Sequence, residues 1–300
     1  MVKSKILVTG GSGFIGSHLV KRLSDKGEVV AFDKYRCKGK LTIPNKFRFI
    51  EGDIVDQKKI REVMQGVDYV FHLAVLPLGA CTENPRACLE TNINGTFGVI
   101  EAAKDTNVKK IIFSSASSVY GDTVQTMDES HPLNARTMYG ASKIAGEYFL
   151  KFFYDMYRLD YVILRYMNVY GPGQEGGLIM SVLERIKRGL PPIIFGDGSQ
   201  SFDFVYIDDV VNANILAMES DVTDEVFNIG GEEEVTVKEL VFTLLELTGS
   251  DLAPEFKLEE KVPMQRRVGS SQKAAKLLGY MPTVPIREGL KRVIEAELKI

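Results

Sequence analysis

The sequence predicts an α/β fold in which a doubly wound parallel sheet is joined to a smaller C-terminal lobe. Residues 5–9 form a short apolar run typical of a buried strand, and a glycine-rich turn follows them directly. An apolar helical pattern then runs to Leu23. Further short apolar runs alternate with helical segments through residue 165, and this alternation is what favours a parallel sheet.

The glycine-rich turn at residues 9–16 has the spacing of a dinucleotide-binding strand–turn–helix unit. Gly10 permits the tight turn, Gly13 lets a pyrophosphate approach the backbone, and Gly16 allows the helix to pack closely on the strand. The helix N-terminus then faces the phosphates. We therefore expect a Rossmann-type cofactor site that includes Gly10, Gly13, Phe14, Ile15 and Gly16.

Asp33 ends the next apolar run, roughly twenty residues beyond the turn, where an acidic side chain meets the adenosine ribose. Its carboxylate would repel a 2′-phosphate, which favours NAD over NADP, although Arg36 and Lys38 partly offset that repulsion. The other interpretation is that Asp33 only opens a loop. We place Asp33 and Lys34 among the cofactor contacts.

The remaining strands are predicted at residues 47–50, 67–74, 111–115 and 161–165. Glycine and proline at 171–173 then mark the crossing into the smaller lobe, whose first helix should begin near Leu178. We assign residues 1–170 to the NAD-binding domain, with 203–230 returning to it. Residues 171–202 and 231–300 form the substrate-binding lobe, with amphipathic helices that include 236–247.

Tyr139 and Lys143 are four residues apart, so on a helix they share one face. The ammonium can then favour the phenolate of a group whose unperturbed pKa is about 10. Alone, this spacing is more often an ordinary surface pair. Together with the glycine-rich turn, it predicts redox chemistry on a hydroxyl-bearing substrate, with Tyr139 as base.

With these residues in view, the chain resembles the extended short-chain dehydrogenase/reductase superfamily, specifically the NAD-dependent nucleotide-sugar epimerases and dehydratases of the UDP-glucose 4-epimerase type. Besides the features above, the resemblance is carried by residues 52–54, 72–74, 92–96, 114–121, 164–172 and 195–200. It implies a bound NAD that takes a hydride from a sugar carbon, giving a keto-sugar, and later returns it.

The resemblance also implies site residues. Lys143 would contact the nicotinamide ribose, Asn168 the diphosphate side of the substrate, and Leu178 would lie where the nucleotide base is met. His72 is expected to be a strand-end residue with a satisfied hydrogen bond and no catalytic role. The further cofactor contacts are Asp53, Ile54, Leu73, Ala74, Val75, Asn92, Ser115, Tyr139 and Tyr166.

One departure from the family pattern lies just before Val119. The family's catalytic Ser or Thr falls on Ala116, so we expect Ser117 or Ser118 to take over contact with the sugar hydroxyl. Related dehydratases and decarboxylases carry acidic residues at the positions of Ser117 and Ser118, because elimination needs an acid and a base. Their absence favours a 4-epimerase, with a 4,6-dehydratase or a decarboxylase as the alternative.

A second departure is Phe202, which stands where the family usually has an arginine for the diphosphate. Arg266 and Arg267 resemble another family segment that approaches the nucleotide, and we expect them to hold the phosphates. The other interpretation is a solvated surface pair. With Ala116 and Phe202 both replacing polar groups, an NAD-binding protein with little turnover is a third possibility, against which the intact Tyr139 and Lys143 argue.

Composition limits the remaining classes of protein. The 300 residues are 45% hydrophobic and 26% charged with a net charge of -3, which gives no broad basic face for nucleic acid. No apolar stretch is long enough for a membrane span, so we expect a cytoplasmic enzyme. The three cysteines lack the spacing of a zinc site and are expected to be reduced thiols.

The family usually forms homodimers through two helices of each subunit, which here are expected near residues 86–104 and 139–157. The second of these carries an aromatic stripe, for which core packing is the safer assumption. The stripe consists of Phe149, Phe152, Phe153 and Tyr157.

Overall fold

A computed structural model describes residues 4–36, 47–258 and 265–298. Its strands are β1 Lys5–Thr9, β2 Glu28–Asp33, β3 Arg48–Glu51, β4 Tyr69–His72, β5 Lys110–Ala116, β6 Tyr161–Tyr166, β7 Asn168–Tyr170, β8 Ile193–Phe195, β9 Ser201–Tyr206, β10 Glu225–Ile229, β11 Glu234–Thr236, β12 Glu255–Lys257 and β13 Arg266–Arg267. Its α-helices are α1 Phe14–Leu23, α2 Gln57–Val63, α3 Leu78–Glu83, α4 Pro85–Cys88, α5 Thr96–Lys104, α6 Met138–Tyr157, α7 Gly177–Lys187, α8 Ile207–Glu219, α9 Val237–Thr248, α10 Gln272–Leu278 and α11 Ile286–Leu298.

Among the described residues, seven parallel strands form the central sheet in the order β10-β6-β5-β4-β1-β2-β3. The order reverses at β1, which pairs with β2 on one side and β4 on the other. In open α/β sheets such a switch point opens a crevice at the carboxyl ends of the strands. The predicted doubly wound fold is therefore confirmed.

Helices cover both faces of this sheet. Successive side chains of each strand point to opposite faces, so each strand contributes to two separate layers of apolar packing. In β1, Ile6 and Val8 pack in the layer that contains Leu19 of α1, whereas Leu7 packs in the layer that contains Val99 of α5. Burial of each such aliphatic side chain contributes about 1.5–3 kcal/mol. These two packed layers hold the carboxyl ends of the strands in place at the crevice.

After β6 the chain leaves the central sheet for a smaller set of strands. Strand β7 pairs with β9, which also pairs with β11 and β13, and β8 pairs with β12. The chain returns to the central sheet as α8 and β10, where α8 packs against α1. The predicted first helix of the lobe is α7, which begins one residue before Leu178. The proposed domain boundaries themselves stay a prediction.

The cysteine prediction was wrong for one pair: Cys81 and Cys88 form a disulfide, with their Cα atoms 4.9 Å apart. On one straight helix, residues seven apart would be separated by about 10 Å along the axis. Here α3 stops at Asn84, Pro85 begins α4, and the fold-back brings the two sulfur atoms together. Cys37 lies outside the described residues.

The expected helix at 86–104 is interrupted, because a π-helical segment, Leu89–Gly95, joins α4 to α5. In the aromatic stripe of α6, Phe153 is buried as expected for the core, but Phe152 and Tyr157 are about half exposed. Within the ranges that the structure describes, no helix has the length and apolar character that a membrane crossing requires.

Candidate active site

A cavity of about 720 Å³ lies at the carboxyl ends of the central strands, at the switch point. All but one of the predicted cofactor contacts line it, the exception being Asn92. The lining residues that were predicted are Gly10, Gly13, Phe14, Ile15, Gly16, Asp33, Lys34, Asp53, Ile54, Leu73, Ala74, Val75, Ser115, Tyr139, Lys143 and Tyr166.

The glycine-rich turn fits a dinucleotide because side chains are excluded from it. A Cβ on Gly16 would lie 2.1 Å from the carbonyl oxygen of Gly10, and Gly10 itself has a φ of +72°. Gly13 is the N-cap of α1 and provides no side-chain cap, so the first amides of the helix face the cavity. These features fit a pyrophosphate.

The two acidic residues predicted near the adenosine are held by local contacts. Asp33 accepts a hydrogen bond of 2.9 Å from the backbone N–H of Ser12, which ties β2 to the turn. Asp53 forms an ion pair of 2.9 Å with Lys34. Asp33 and Asp53 both line the cavity, in which Asp33 was expected to meet the adenosine ribose.

Asn92 lies behind the cavity and holds one of its walls. Its side chain accepts a hydrogen bond from the backbone N–H of Leu76 at 2.7 Å and donates to the carbonyl oxygen of the same residue at 3.0 Å. It also donates to Ser142 of α6 at 3.2 Å. The segment after β4, which lines the cavity, is thus fixed to the helix that carries Tyr139 and Lys143.

Helix α6 places Tyr139 and Lys143 side by side, as predicted. Thr137 caps the helix by accepting a hydrogen bond from the backbone N–H of Gly140, so Tyr139 lies in the first turn. Lys143 follows one turn later, where its Nζ is 5.6 Å from the centre of the Tyr139 ring. The ammonium is anchored by donating to the carbonyl oxygen of Ser114 at 2.7 Å.

The expected lowering of the Tyr139 pKa is not found. Burial raises the pKa of Tyr139 to about 12, and burial lowers the pKa of Lys143 to about 7. The reason is that an apolar surrounding disfavours the phenolate and the ammonium alike. Tyr139 is therefore held as the neutral phenol, and Lys143, with a pKa of about 7, exchanges its proton near neutral pH.

His72 is a satisfied strand-end residue, as predicted. Its two ring nitrogens lie 2.7 Å from the hydroxyl of Thr9 and 3.0 Å from the hydroxyl of Thr96. Burial lowers its pKa to about 3, so the ring is neutral.

A second cavity, of about 450 Å³, opens between the central sheet and the smaller lobe. Its lining includes the predicted residues Ser117, Ser118, Asn168, Leu178 and Arg267, together with Ala116 and Phe202. Tyr139 and Tyr166 line both cavities, so the phenol of Tyr139 stands where the two meet. A substrate in the second cavity would thus reach a cofactor in the first one beside this phenol.

The hydroxyl groups near Ala116 differ in what they contact. Ser114 is paired with the Tyr166 hydroxyl at 3.0 Å, and Ser115 donates to the carboxylate of Glu147 at 2.5 Å. Ser117 and Ser118 follow β5 in a short 3₁₀ turn on the second cavity. The Ser118 hydroxyl is buried and has no hydrogen-bond partner within the part of the chain that the structure describes, which a functional role would explain.

The two arginines of β13 lie in different surroundings. Arg267 lines the second cavity, and its buried Nε has no hydrogen-bond partner in residues 4–36, 47–258 and 265–298. Arg266 is held by both carboxylate oxygens of Glu234, at 2.7 and 2.8 Å, and by the carbonyl oxygen of Val124. Neighbouring residues of a strand point to opposite sides, so only one of the two arginines faces the cavity.

Sequence reasoning missed some residues of the site. Gln174 lines both cavities and donates to the carbonyl oxygen of Val169 at 3.1 Å. Its position directly after the glycine and proline turn at 171–173 was the available clue. The side-chain amide of Asn214 in α8 donates a hydrogen bond to the Tyr166 hydroxyl at 2.8 Å. Nothing in the local sequence pattern predicts this contact.

Comparison with known proteins gives a consistent result. The NAD dependent epimerase/dehydratase family is matched by residues 6–230. A putative UDP-glucose 4-epimerase of Methanocaldococcus jannaschii is 36% identical, over 96% of this chain and 97% of its own length. The structure of a UDP-glucose 4-epimerase of Thermotoga maritima with UDP-glucose superposes with a TM-score of 0.93 at 38% identity, covering 98% of this chain and 99% of that one.

A third similar protein carries both ligands. The UDP-glucuronic acid 4-epimerase of Bacillus cereus, solved with UDP-glucuronic acid and NAD, has a TM-score of 0.91 at 30% identity, covering 98% of this chain and 99% of that one.

Proposed function

The chain belongs to the NAD dependent epimerase/dehydratase family, and from that premise we propose that it interconverts a UDP-sugar and its C4 epimer. The observation that carries this proposal is the position of Tyr139 between a dinucleotide cleft and a second cavity. Related proteins that are named 4-epimerases, in complexes with UDP-glucose or UDP-glucuronic acid, support it.

NAD, when bound, supplies a hydride acceptor that can also return the hydride. Gly10, Gly13 and Gly16 would hold its pyrophosphate, and Asp33 its adenosine ribose. Tyr139 would take the proton of the sugar 4-hydroxyl and give it back, and Lys143 would balance the charge on the phenol. Epimerisation then requires only that the keto-sugar turn before the hydride returns.

The residues around Ala116 favour epimerisation over elimination. Ala116, Ser117 and Ser118 line the second cavity, and none of them can act as the acid or base that loss of water needs. We propose that Ser117 or Ser118 contacts the sugar hydroxyl in place of the side chain missing at 116. Full turnover in the Ser117→Ala/Ser118→Ala double variant would contradict this role.

For the diphosphate we propose Arg267 and Asn168 as the binding residues. Arg267 is half-buried, and its buried Nε has no hydrogen-bond partner among the described residues, so a phosphate oxygen would satisfy it. Asn168 lines the same cavity while its amide donates to the carbonyl oxygen of Asp203 at 3.0 Å. Arg266, which is engaged by Glu234, provides a matched control. Arg267→Gln should raise KM for the UDP-sugar at least tenfold, and Arg266→Gln should raise it much less.

The experiment that tests the function is mass spectrometry with separation of sugar isomers, after incubation of the protein with NAD and a panel of uridine, thymidine and guanosine diphosphate sugars. A new isomer of unchanged mass, absent with Tyr139→Phe, supports the proposal. Loss of water or carbon dioxide would instead identify a dehydratase or a decarboxylase. Absence of product from every donor would favour a protein that binds NAD with little turnover.

We further propose that the protein is a homodimer through α5 and α6. Tyr148, Phe152 and Met156 lie one turn apart on one face of α6 and are 60%, 50% and 62% exposed, and Phe97 of α5 packs beside them against Phe153. Light scattering should show a dimer that Phe152→Glu dissociates. Phe242→Glu, at a residue of similar exposure on α9, should leave the dimer intact. A wild-type monomer at working concentration would contradict the proposal.

A further inference from the structure

Glu147 is a buried acid in α6 that the proposed reaction does not use. It follows Lys143 by one helical turn, as Lys143 follows Tyr139, so the three side chains lie on one face of the helix. Glu147 is 1% exposed. A carboxylate this deep needs compensation, because burial of an unpaired charge is strongly unfavourable.

Arg165 of β6 provides the compensation. Its Nε donates to one carboxylate oxygen of Glu147 at 2.9 Å, and its Nη2 donates to the other at 2.6 Å. The hydroxyl of Ser115 donates to the first oxygen at 2.5 Å. The carboxylate is therefore fixed at both oxygens, and Ser115, which lines the cofactor cavity, is fixed with it.

The guanidinium of Arg165 is held from the other side as well. Its Nη1 donates to the hydroxyl of Tyr120 at 2.8 Å, and that hydroxyl donates to the side chain of Asn228 at 2.7 Å. Bidentate pairing together with this third contact fixes the guanidinium of Arg165 against the carboxylate of Glu147. Glu147 is thereby held one helical turn from Lys143.

Glu147 also supplies the attraction that opposes burial at Lys143. The titratable groups near the lysine include Tyr139, whose ring centre is 5.6 Å from the lysine Nζ, His72 of β4, and Tyr166 of β6, which lines the same cavity. Burial holds all three of these neutral, raising the pKa of both tyrosines to about 12 and lowering that of His72 to about 3. Glu147 is the charged group that raises the pKa of Lys143 against the larger effect of burial.

We propose that Glu147, held in place by Arg165, is a positioning residue that favours the protonated form of Lys143 and orients Ser115 beside the cofactor cleft. The consequence of this inference for catalysis rests on the proposed function. Its physical content, a carboxylate that controls the protonation of one lysine, can be measured without turnover.

The test follows the lysines by carbon NMR in protein labelled at the lysine ε-carbon, titrated from about pH 5 to pH 10. Lys143, identified as the signal lost in Lys143→Met, should titrate near pH 7, well below an ordinary lysine. In Glu147→Gln its midpoint should fall by about one pH unit or more, as expected on loss of an opposite charge nearby. Glu147→Asp keeps the charge and should restore most of the wild-type midpoint.

Glu129→Gln is a matched control. Glu129 is a partly buried acid that accepts from the backbone N–H of Asn228, at the far end of the same network. It makes no contact with Lys143 among the described residues. Its removal should leave the Lys143 titration unchanged.

A double variant, Glu147→Gln/Arg165→Met, covers the case in which Glu147→Gln leaves too much uncompensated charge to fold. It removes both charges, which buried pairs often tolerate, and the Lys143 midpoint should again fall. A wild-type midpoint in a folded variant without Glu147 would overturn the inference, and so would an equal shift in Glu129→Gln.

The pH profile of turnover separates this inference from the proposed function. If the enzyme is an epimerase, the alkaline limb of its profile should move to lower pH in Glu147→Gln and return toward the wild-type position in Glu147→Asp. If no sugar is turned over but the Lys143 midpoint still shifts as described, the proposed function fails while the role of Glu147 stands.

Discussion

Asn92→Ala is expected to loosen the wall of the cofactor cleft. Asn92 is buried and makes two hydrogen bonds to the backbone of Leu76, at 2.7 and 3.0 Å, and a third to Ser142 at 3.2 Å. Leu76 belongs to the loop that lines the cavity after β4. Alanine cannot replace any of these contacts, so the loop loses its direct tie to α6.

The magnitude follows from the contacts that are lost. Each net hydrogen bond contributes about 0.5–1.5 kcal/mol, and the two backbone groups of Leu76 lose their partner together. The free energy of unfolding should therefore fall by about 1–3 kcal/mol. If about 1.4 kcal/mol of this lost stabilisation is specific to the loop conformation that binds NAD, the Kd for NAD should rise about tenfold.

Asn94 supplies the matched control, since it lies two residues later in the same π-helical segment but only pairs with exposed Glu90 at 2.8 Å. Asn94→Ala should change the free energy of unfolding by less than about 0.5 kcal/mol. The measurements are urea unfolding and calorimetric titration with NAD. Equal effects of the two substitutions, or an unchanged Kd and stability in Asn92→Ala, would refute the reasoning.

Three further predictions concern the chemistry, the disulfide and the pH dependence. Tyr139→Phe should lower turnover about 10²–10⁴-fold while denaturation still releases NAD, whereas Tyr148→Phe, on the exposed face of the same helix, should keep wild-type turnover. Reduction of the Cys81–Cys88 disulfide, or Cys88→Ser, should lower the free energy of unfolding by about 2–3 kcal/mol, as expected for a loop of this length, and an unchanged urea midpoint under dithiothreitol would contradict it. Burial raises the pKa of Asp203 to about 7, above its unfolded value of about 4, so stability should be lost as pH rises through this range. Asp203→Asn should flatten that fall between about pH 4 and pH 7 in urea unfolding, and a wild-type slope in the variant would assign the pH dependence to other groups.

Local patterns predicted six of the seven described strands of the central sheet and the cofactor turn, whereas β10 was predicted only as part of a segment that returns to the domain. The run at residues 5–9, the spacing of Gly10, Gly13 and Gly16, and Asp33 at the end of β2 each express a short-range requirement. A parallel strand buried on both faces must be apolar throughout, and a turn against a phosphate must lack side chains. These requirements are visible wherever the residues are adjacent in the chain.

Contacts between distant segments were beyond such patterns. Cys81 and Cys88 meet only because the chain folds back at Asn84, and Arg266 is removed from the cavity by Glu234, a residue on another strand. Asn92 was expected among the cofactor contacts, but its side chain is directed to Leu76. In each case the residue type was informative, while its partner was set by packing.

The sequence by itself thus determined the parallel α/β fold, the side-by-side arrangement of Tyr139 and Lys143, and the chemistry available beside Ala116, because each depends on residues one strand or one helical turn apart. Only the tertiary structure decided that Arg267 alone faces the second cavity and that Glu147 is paired with Arg165. It also decided that burial moves the pKa values of Tyr139 and Lys143 toward their neutral forms. The physical reason is that charge balance and desolvation are set by everything within a few ångströms in space, and most of those atoms belong to residues far away in the chain.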